Sequence, residues 1–99
     1  MRLVFTALLF CVACGHDHGA EAFGTYQECF DDHTMAESLP IQEAIVICCL
    51  EHPINGVTQV CGATAADCAA YLATNLSSTS ATQADITAAC TDYVAQKGM

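Results

Sequence analysis

The sequence predicts an all-α fold, a small bundle of about four short helices stapled by three disulfides. Three observations lead there. Apolar residues recur at three- and four-residue spacing in four separate stretches. Eight cysteines in 99 residues is a density that fits an oxidising compartment. The chain is also short: ~75 ordered residues bury only about 60% of their unfolded surface, so helices faced with Ala, Cys and Ile need covalent support. With 54% hydrophobic and 13% charged residues, the chain is no disordered tail.

The first helix is expected from about Ala22 to Thr34 or Met35, burying Phe23, Tyr26, Cys29, Phe30 and His33 and turning Glu28, Asp31 and Asp32 outward. Ser38 and Pro40 are expected to open the second, with Ser38 as the cap, because Ser caps well and Pro fits a first turn. Ile41, Ala44, Ile45, Cys48 and Cys49 form its buried stripe, and Pro53 stops it near Glu51. Pro53-Ile54-Asn55-Gly56 reads as a turn, since Asn and Gly accept the left-handed region. Val57 to Cys61 is a short helical turn or an extended link, with the helical turn favoured. Thr64-Ala65-Ala66-Asp67 is a capping box that starts the third helix, on which Cys68, Ala69, Leu72 and Leu76 face inward. A polar linker, Ser77 to Ala81, leads to a second capping box, Thr82-Gln83-Ala84-Asp85. Ile86, Ala89, Cys90, Tyr93 and Val94 are the stripe of the fourth helix, which Lys97 and Gly98 end.

Met1 and Arg2 precede an uncharged apolar run, Leu3 to Ala13, too short to span a bilayer but long enough for a signal peptide. Its end, Cys11-Val12-Ala13-Cys14-Gly15, resembles a bacterial lipobox, with Cys11 where that pattern usually has Leu. The resemblance implies that residues 1–13 are a signal peptide and that Cys14 is the lipidated first residue. It also implies a lipoprotein sorted to the outer membrane, because Gly15 stands where Asp would favour retention in the inner one. Residues 14–21 then form the lipid attachment site and a flexible tether, and residues 22–99 a single disulfide-stapled helical domain. Two other cleavages compete: after Ala22, which releases a soluble secreted protein, and after Gly15, which exposes His16-Asp17-His18 as a free N-terminus.

Lipidation of Cys14 leaves Cys29, Cys48, Cys49, Cys61, Cys68 and Cys90 for three bridges. Cys48 and Cys49 project roughly 100° apart on a helix. One therefore reaches Cys29, and the other Cys90 or the Cys61 to Cys68 segment; Cys29 with Cys48 or Cys49 is the expected pair, the remainder open. The adjacent pair Cys48-Cys49 in a four-helix, cysteine-rich pattern is similar to the plant lipid-transfer and seed-albumin family. That family's Cys-x-Cys is absent here, so the resemblance carries over no functional residue. An apolar cavity of the kind it implies would be lined by Ile45, Leu50, Leu72 and Leu76; an ordinary filled core is the preferred expectation.

Few constellations carry chemistry. His16, Asp17 and His18 are the candidate metal ligands, for Cu or Ni at a free amine or for Zn or Cu with Glu21, although a tether reads first as a solvated linker. His33 with Asp31, Asp32 and Glu28 reads as a solvated acidic face, because helical carboxylates lack a calcium loop. His52 reads as a helix-end imidazole near unpaired carbonyls. Asn75-Leu76-Ser77 is a glycosylation sequon only in a eukaryotic host. No nucleophile sits beside a base and no glycine loop cradles phosphate, so no enzyme and no resident cofactor are expected. A net charge of -9 repels phosphate backbones, which excludes nucleic acid as a partner. The expectation is a small acidic lipoprotein of the bacterial cell envelope, a non-catalytic interaction or structural domain that meets the membrane through its lipid and an unknown protein or small ligand through its surface. The alternative is a secreted binding module carrying metal at His16-Asp17-His18 or an apolar ligand between its helices.

Overall fold

A computed structural model describes residues 22–98. Four helices, α1 (Tyr26–Asp31), α2 (Ile41–Leu50), α3 (Ala65–Asn75) and α4 (Gln83–Lys97), form the bundle, and a π-helical turn (Asp32–Ala36) continues α1. The described residues contain isolated bridges, Phe23 with Ile54 and Ile54 with Val57, and no longer strand. α2 packs mainly on α4, α3 on α4, and α1 with its π turn on α2.

α2 is the central element because its sequence, IQEAIVICCL, is apolar on almost every side. Ala44, Ile45, Val46, Cys48 and Cys49 are buried in it, whereas Ile41 is exposed. The buried stripe thus starts one turn later than expected, and Val46 joins it, because α2 is covered on one flank by α1 and on another by α4. Cys68 and Leu72 of α3 and Ile86, Ala89, Cys90 and Tyr93 of α4 complete the core as their spacing predicts, with Val94 half-buried.

Three disulfides join the layers: Cys29 to Cys48, Cys49 to Cys61, and Cys68 to Cys90. The first realises the expected pair and chooses Cys48 over Cys49; the second takes the other neighbour to the Cys61 segment.

The helix starts follow side-chain chemistry. Thr64 accepts from the Asp67 backbone amide, while Thr82 and Asp85 cap α4 reciprocally. The expected box at Thr64 is thus only half formed, whereas a complete one that was not expected, Thr25 with Glu28, starts α1 and moves its beginning to Tyr26, later than the apolar spacing suggests. Phe23 therefore lies outside the helix, its amide donating to the Pro53 carbonyl at 3.0 Å and its carbonyl accepting from Asn55 at 2.7 Å.

Ser38 does not cap α2. It adopts a left-handed backbone (φ 59°), Pro40 takes the cap position, and no side chain bonds there. The Leu39 amide donates back to the His33 carbonyl at 3.0 Å. A left-handed residue followed by a long return bond is the usual way to end a helix, here one residue wider because the preceding turn is π-helical.

Asn55 and Gly56 are both left-handed (φ 51° and 80°), closing the tight turn that their identities predict, with Ile54 and Val57 bridged across it. Val57 to Cys61 is not a helical turn. Gln59 is left-handed and the Gly62 amide returns to its carbonyl at 3.1 Å. Gly62 has φ 89°, and a Cβ on it would meet the Asp67 Cβ at 2.8 Å, so only glycine fits. Its carbonyl accepts the Tyr93 hydroxyl, fastening this loop to α4. Gln27 fastens the Ser77 to Ala81 linker to α1, accepting from the Ser77 amide at 2.7 Å and donating to the Ser80 hydroxyl at 3.0 Å.

Tyr26 lies in the centre, 1% exposed, donating its hydroxyl to the Ile45 carbonyl at 2.7 Å with its ring edge against Tyr71. Burial, reinforced by Tyr71 and Tyr93, pushes its phenol well above the ordinary 10.0. A phenol whose folded pKa is raised adds stability below its unfolded pKa and loses it as pH rises through the folded value. Tyr26→Phe is expected to cost about 1 kcal/mol at neutral pH and to shrink the fall in stability above about pH 10, measured by urea unfolding across the alkaline range. Replacing Cys68 and Cys90 together with Ala, which opens a crosslink spanning 22 residues, is expected to cost about 3 kcal/mol in the same assay.

Candidate functional site

Two imidazoles are buried among the described residues. His33 and His52 are each 2% exposed, and their Nε2 atoms are 2.9 Å apart. Each is carried in by its helix: His33 lies one turn after Cys29 on the π turn, and His52 lies two residues beyond the end of α2, one turn after Cys48. The Cys29 to Cys48 disulfide, with Cα atoms 6.0 Å apart, brings the two segments together. Phe23 packs edge to face with the His52 ring, their centroids 5.2 Å apart.

The hydrogen-bonding order follows from the donors available. Glu37, four residues on, places a carboxylate oxygen 3.0 Å from His33 Nδ1, which donates to it. A bond between two Nε2 atoms needs one N–H and one lone pair, so the two imidazoles share a single proton along their common line. The chain runs Glu37, His33, His52, with one proton on each link. It can orient rings or relay a proton, and it lies beside sulfur: a ring nitrogen of His33 and the sulfurs of Cys29 and Cys48 all lie within 4.8 Å of one another.

This arrangement corrects two expectations. His33 is not part of a solvated acidic face; the stripe that contains it turns it inward, and Asp31 and Asp32 remain half-exposed beside it. His52 does not simply end a helix near open carbonyls, because Pro53 and Ile54 anchor Phe23 and draw the segment over α1. The signal that leads to the pair is the repeated spacing, Cys29 to His33 and Cys48 to His52, each of four residues. Neither the cysteines nor the histidines carry that signal by themselves; it lies in their joint spacing.

The other expected residues fall as follows. All six cysteines assigned to bridges are bonded. Cys14, the lipidation residue, and the metal candidates His16, Asp17 and His18 lie outside the described residues. Of the apolar-cavity candidates, Leu72 and Leu76 line an open cleft of about 300 Å³ with Ala81 and Ile86, while Ile45 and Leu50 are not among its walls.

Asp85, at the α4 cap, is held below the usual carboxylate range by hydrogen bonds from the Thr82 backbone and side chain, with Gln42 adding a third. That group belongs to the helix start and touches neither histidine.

Replacing either histidine alone with Ala removes the partner of the other Nε2 below the surface. His33→Ala and His52→Ala are each expected to cost about 2 to 3 kcal/mol, and the double variant at least 1 kcal/mol less than their sum, as neighbours sharing one bond require. Urea unfolding of the two single variants and the double checks this. No family model matches the chain, nor does any curated protein or solved structure, so no residue role comes to it from a relative.

Proposed function

We propose that this chain is a lipid-anchored, non-catalytic domain of the bacterial cell envelope, tethered at Cys14 to the outer membrane and docking a basic protein segment through its acidic face. The observation that carries the docking half is an open groove of about 560 Å³ between α2 and α4, with Glu43, Glu51 and Asp92 on its rim around Val46 and Ile47. Acids above an apolar floor suit a cationic amphipathic segment better than a small neutral ligand. The whole described surface has the same sign: its nine acids are exposed or half-exposed, and Lys97 is its one Lys or Arg. Such a surface repels nucleic acid.

The tether half is supported by Cys11-Val12-Ala13-Cys14 at the end of an apolar run. It is also supported by the described domain, in which no helix is long and apolar enough to cross a membrane, so attachment would have to come from outside it. The non-catalytic part of the reading is supported by the sulfurs, all bonded among the described cysteines, and by the burial of the imidazole pair.

The intact mass of the protein from its native host tests the tether. A chain beginning at Cys14 with acyl groups added is expected, and Cys14→Ser is expected to move the protein from the membrane fraction to the soluble one. A mass beginning at His16 or Phe23 without lipid would replace this reading with the secreted one.

A further inference from the structure

Two cysteine–histidine pairs with the same spacing converge in the fold. Cys29 and His33 stand four residues apart, as do Cys48 and His52, so that each histidine follows its cysteine closely in the chain. α1 with its π turn carries the first pair, while Cys48 lies in the last turn of α2 and His52 two residues beyond its end. None of the four is more than 2% exposed. Cys29, Cys48 and a ring nitrogen of His33 lie within 4.8 Å of one another, and His52 Nε2 is 2.9 Å from His33 Nε2.

We propose that Cys29, His33, Cys48 and His52 are a redox-gated zinc site, shut while the disulfide is formed and able to take one Zn2+ once it is reduced. Two thiolates and two imidazoles are a complete donor set for tetrahedral zinc with no open position, which suits a closed, buried site. Zn–S and Zn–N distances of about 2.3 and 2.0 Å place the sulfurs roughly 3.8 Å apart and the nitrogens roughly 3.3 Å apart. With the disulfide open, Cα atoms 6.0 Å apart accommodate the first separation. The second is wider than the present 2.9 Å, and His52, which stands outside the group formed by Cys29, Cys48 and His33, has to turn its Nε2 off His33 and move towards the sulfurs once the disulfide opens.

Glu37 is the independent observation that favours a metal. Its carboxylate accepts the Nδ1–H of His33 at 3.0 Å, which leaves Nε2 as the ligating atom and raises its basicity. A carboxylate behind the far nitrogen is the usual partner of a zinc-bound histidine. Thiolate donors exclude magnesium and calcium as the resident ion. The second sulfur group, Cys49, Cys61 and Cys68, is also within 4.8 Å but includes no imidazole, and serves as the internal control.

The chemistry balances in two steps. Two equivalents of a thiol reductant deliver two electrons and two protons to the Cys29–Cys48 bond, giving two protein thiols and one reductant disulfide. Zn2+ then displaces both thiol protons, forming two Zn–S bonds and releasing two protons to water. Reoxidation by a disulfide runs the sequence backwards and expels the metal.

The test is the redox equilibrium of each bond in the full-length processed protein, held in glutathione buffers with and without buffered Zn2+. After acid quenching, alkylation and peptide mass analysis, the reduced fraction of every cysteine is read separately. Zinc is expected to open Cys29–Cys48 at a buffer at least tenfold more oxidising, leaving Cys49–Cys61 and Cys68–Cys90 unmoved. His52→Ala is expected to abolish that shift, and the other two bonds report whether the variant has kept its fold. Should the variant unfold, the wild-type series decides alone. The absence of a zinc shift at Cys29–Cys48, or one shared by all three bonds, would overturn the proposal.

Discussion

The constraint on which the molecule depends is the placing of two consecutive cysteines in the last turn of α2. Their side chains leave the helix about 100° apart, so a single turn is bolted to α1 on one side and to the Cys61 loop on the other. α1 has six residues, far too few to hold helical structure alone, and its position comes from Cys48 and from the capping box at Thr25. On the other side, Cys61 fixes the loop whose Gly62 carbonyl receives the Tyr93 hydroxyl, and so carries the constraint into α4. Cys68 and Cys90 then pin α3 to α4. The apolar core is thin, with Ala and Cys where larger domains use Leu, and crosslinks compensate by limiting the unfolded ensemble.

The same bolt explains why two histidines are buried side by side. Bringing Cys29 to Cys48 forces the segments just after each cysteine to meet, and each has a histidine one turn on. A buried imidazole needs partners for both nitrogens. His33 finds Glu37 and His52, and the π turn that carries it widens the backbone at this point. π-helical turns often occur where a side chain must be redirected for function. Here the redirected group faces a disulfide, a combination that a structural role alone does not require.

How much of this was legible depended on whether a signal was local. Helix existence, both Thr-led starts of α3 and α4, the Asn55-Gly56 turn and the Cys29 pairing follow from spacing and residue type within a few positions. Thr25 to Glu28 is an equally local signal, masked by an apolar stripe that begins at Phe23. Ser38 misled for a physical reason: Ser before Pro satisfies a cap pattern, but the chain first had to reverse after a widened turn, and that reversal required a left-handed residue at the same place. The histidine pair was legible only as a repeated spacing, since its contact spans 19 residues and depends on the disulfide being formed.

Charge and crosslinking are two sides of one design. Acids crowd a small surface on which Lys97 is the one basic residue among those described, and their mutual repulsion opposes compaction. Among the described residues no carboxylate is buried; Glu28 and Asp85 bond at helix starts, Asp31 to Gln27, and Glu37 to the buried His33. A core this small would tolerate such a shell poorly without its three crosslinks. Because the repulsion resides at the surface and the covalent ties at the centre, the acidic face is free to be shaped for a partner while the fold stays fixed. Opening the one disulfide that sits against imidazoles exchanges a covalent tie for a metal tie at the same point. The bundle would then remain joined at α1 and α2 in either redox state, with its charge and its outward face unchanged.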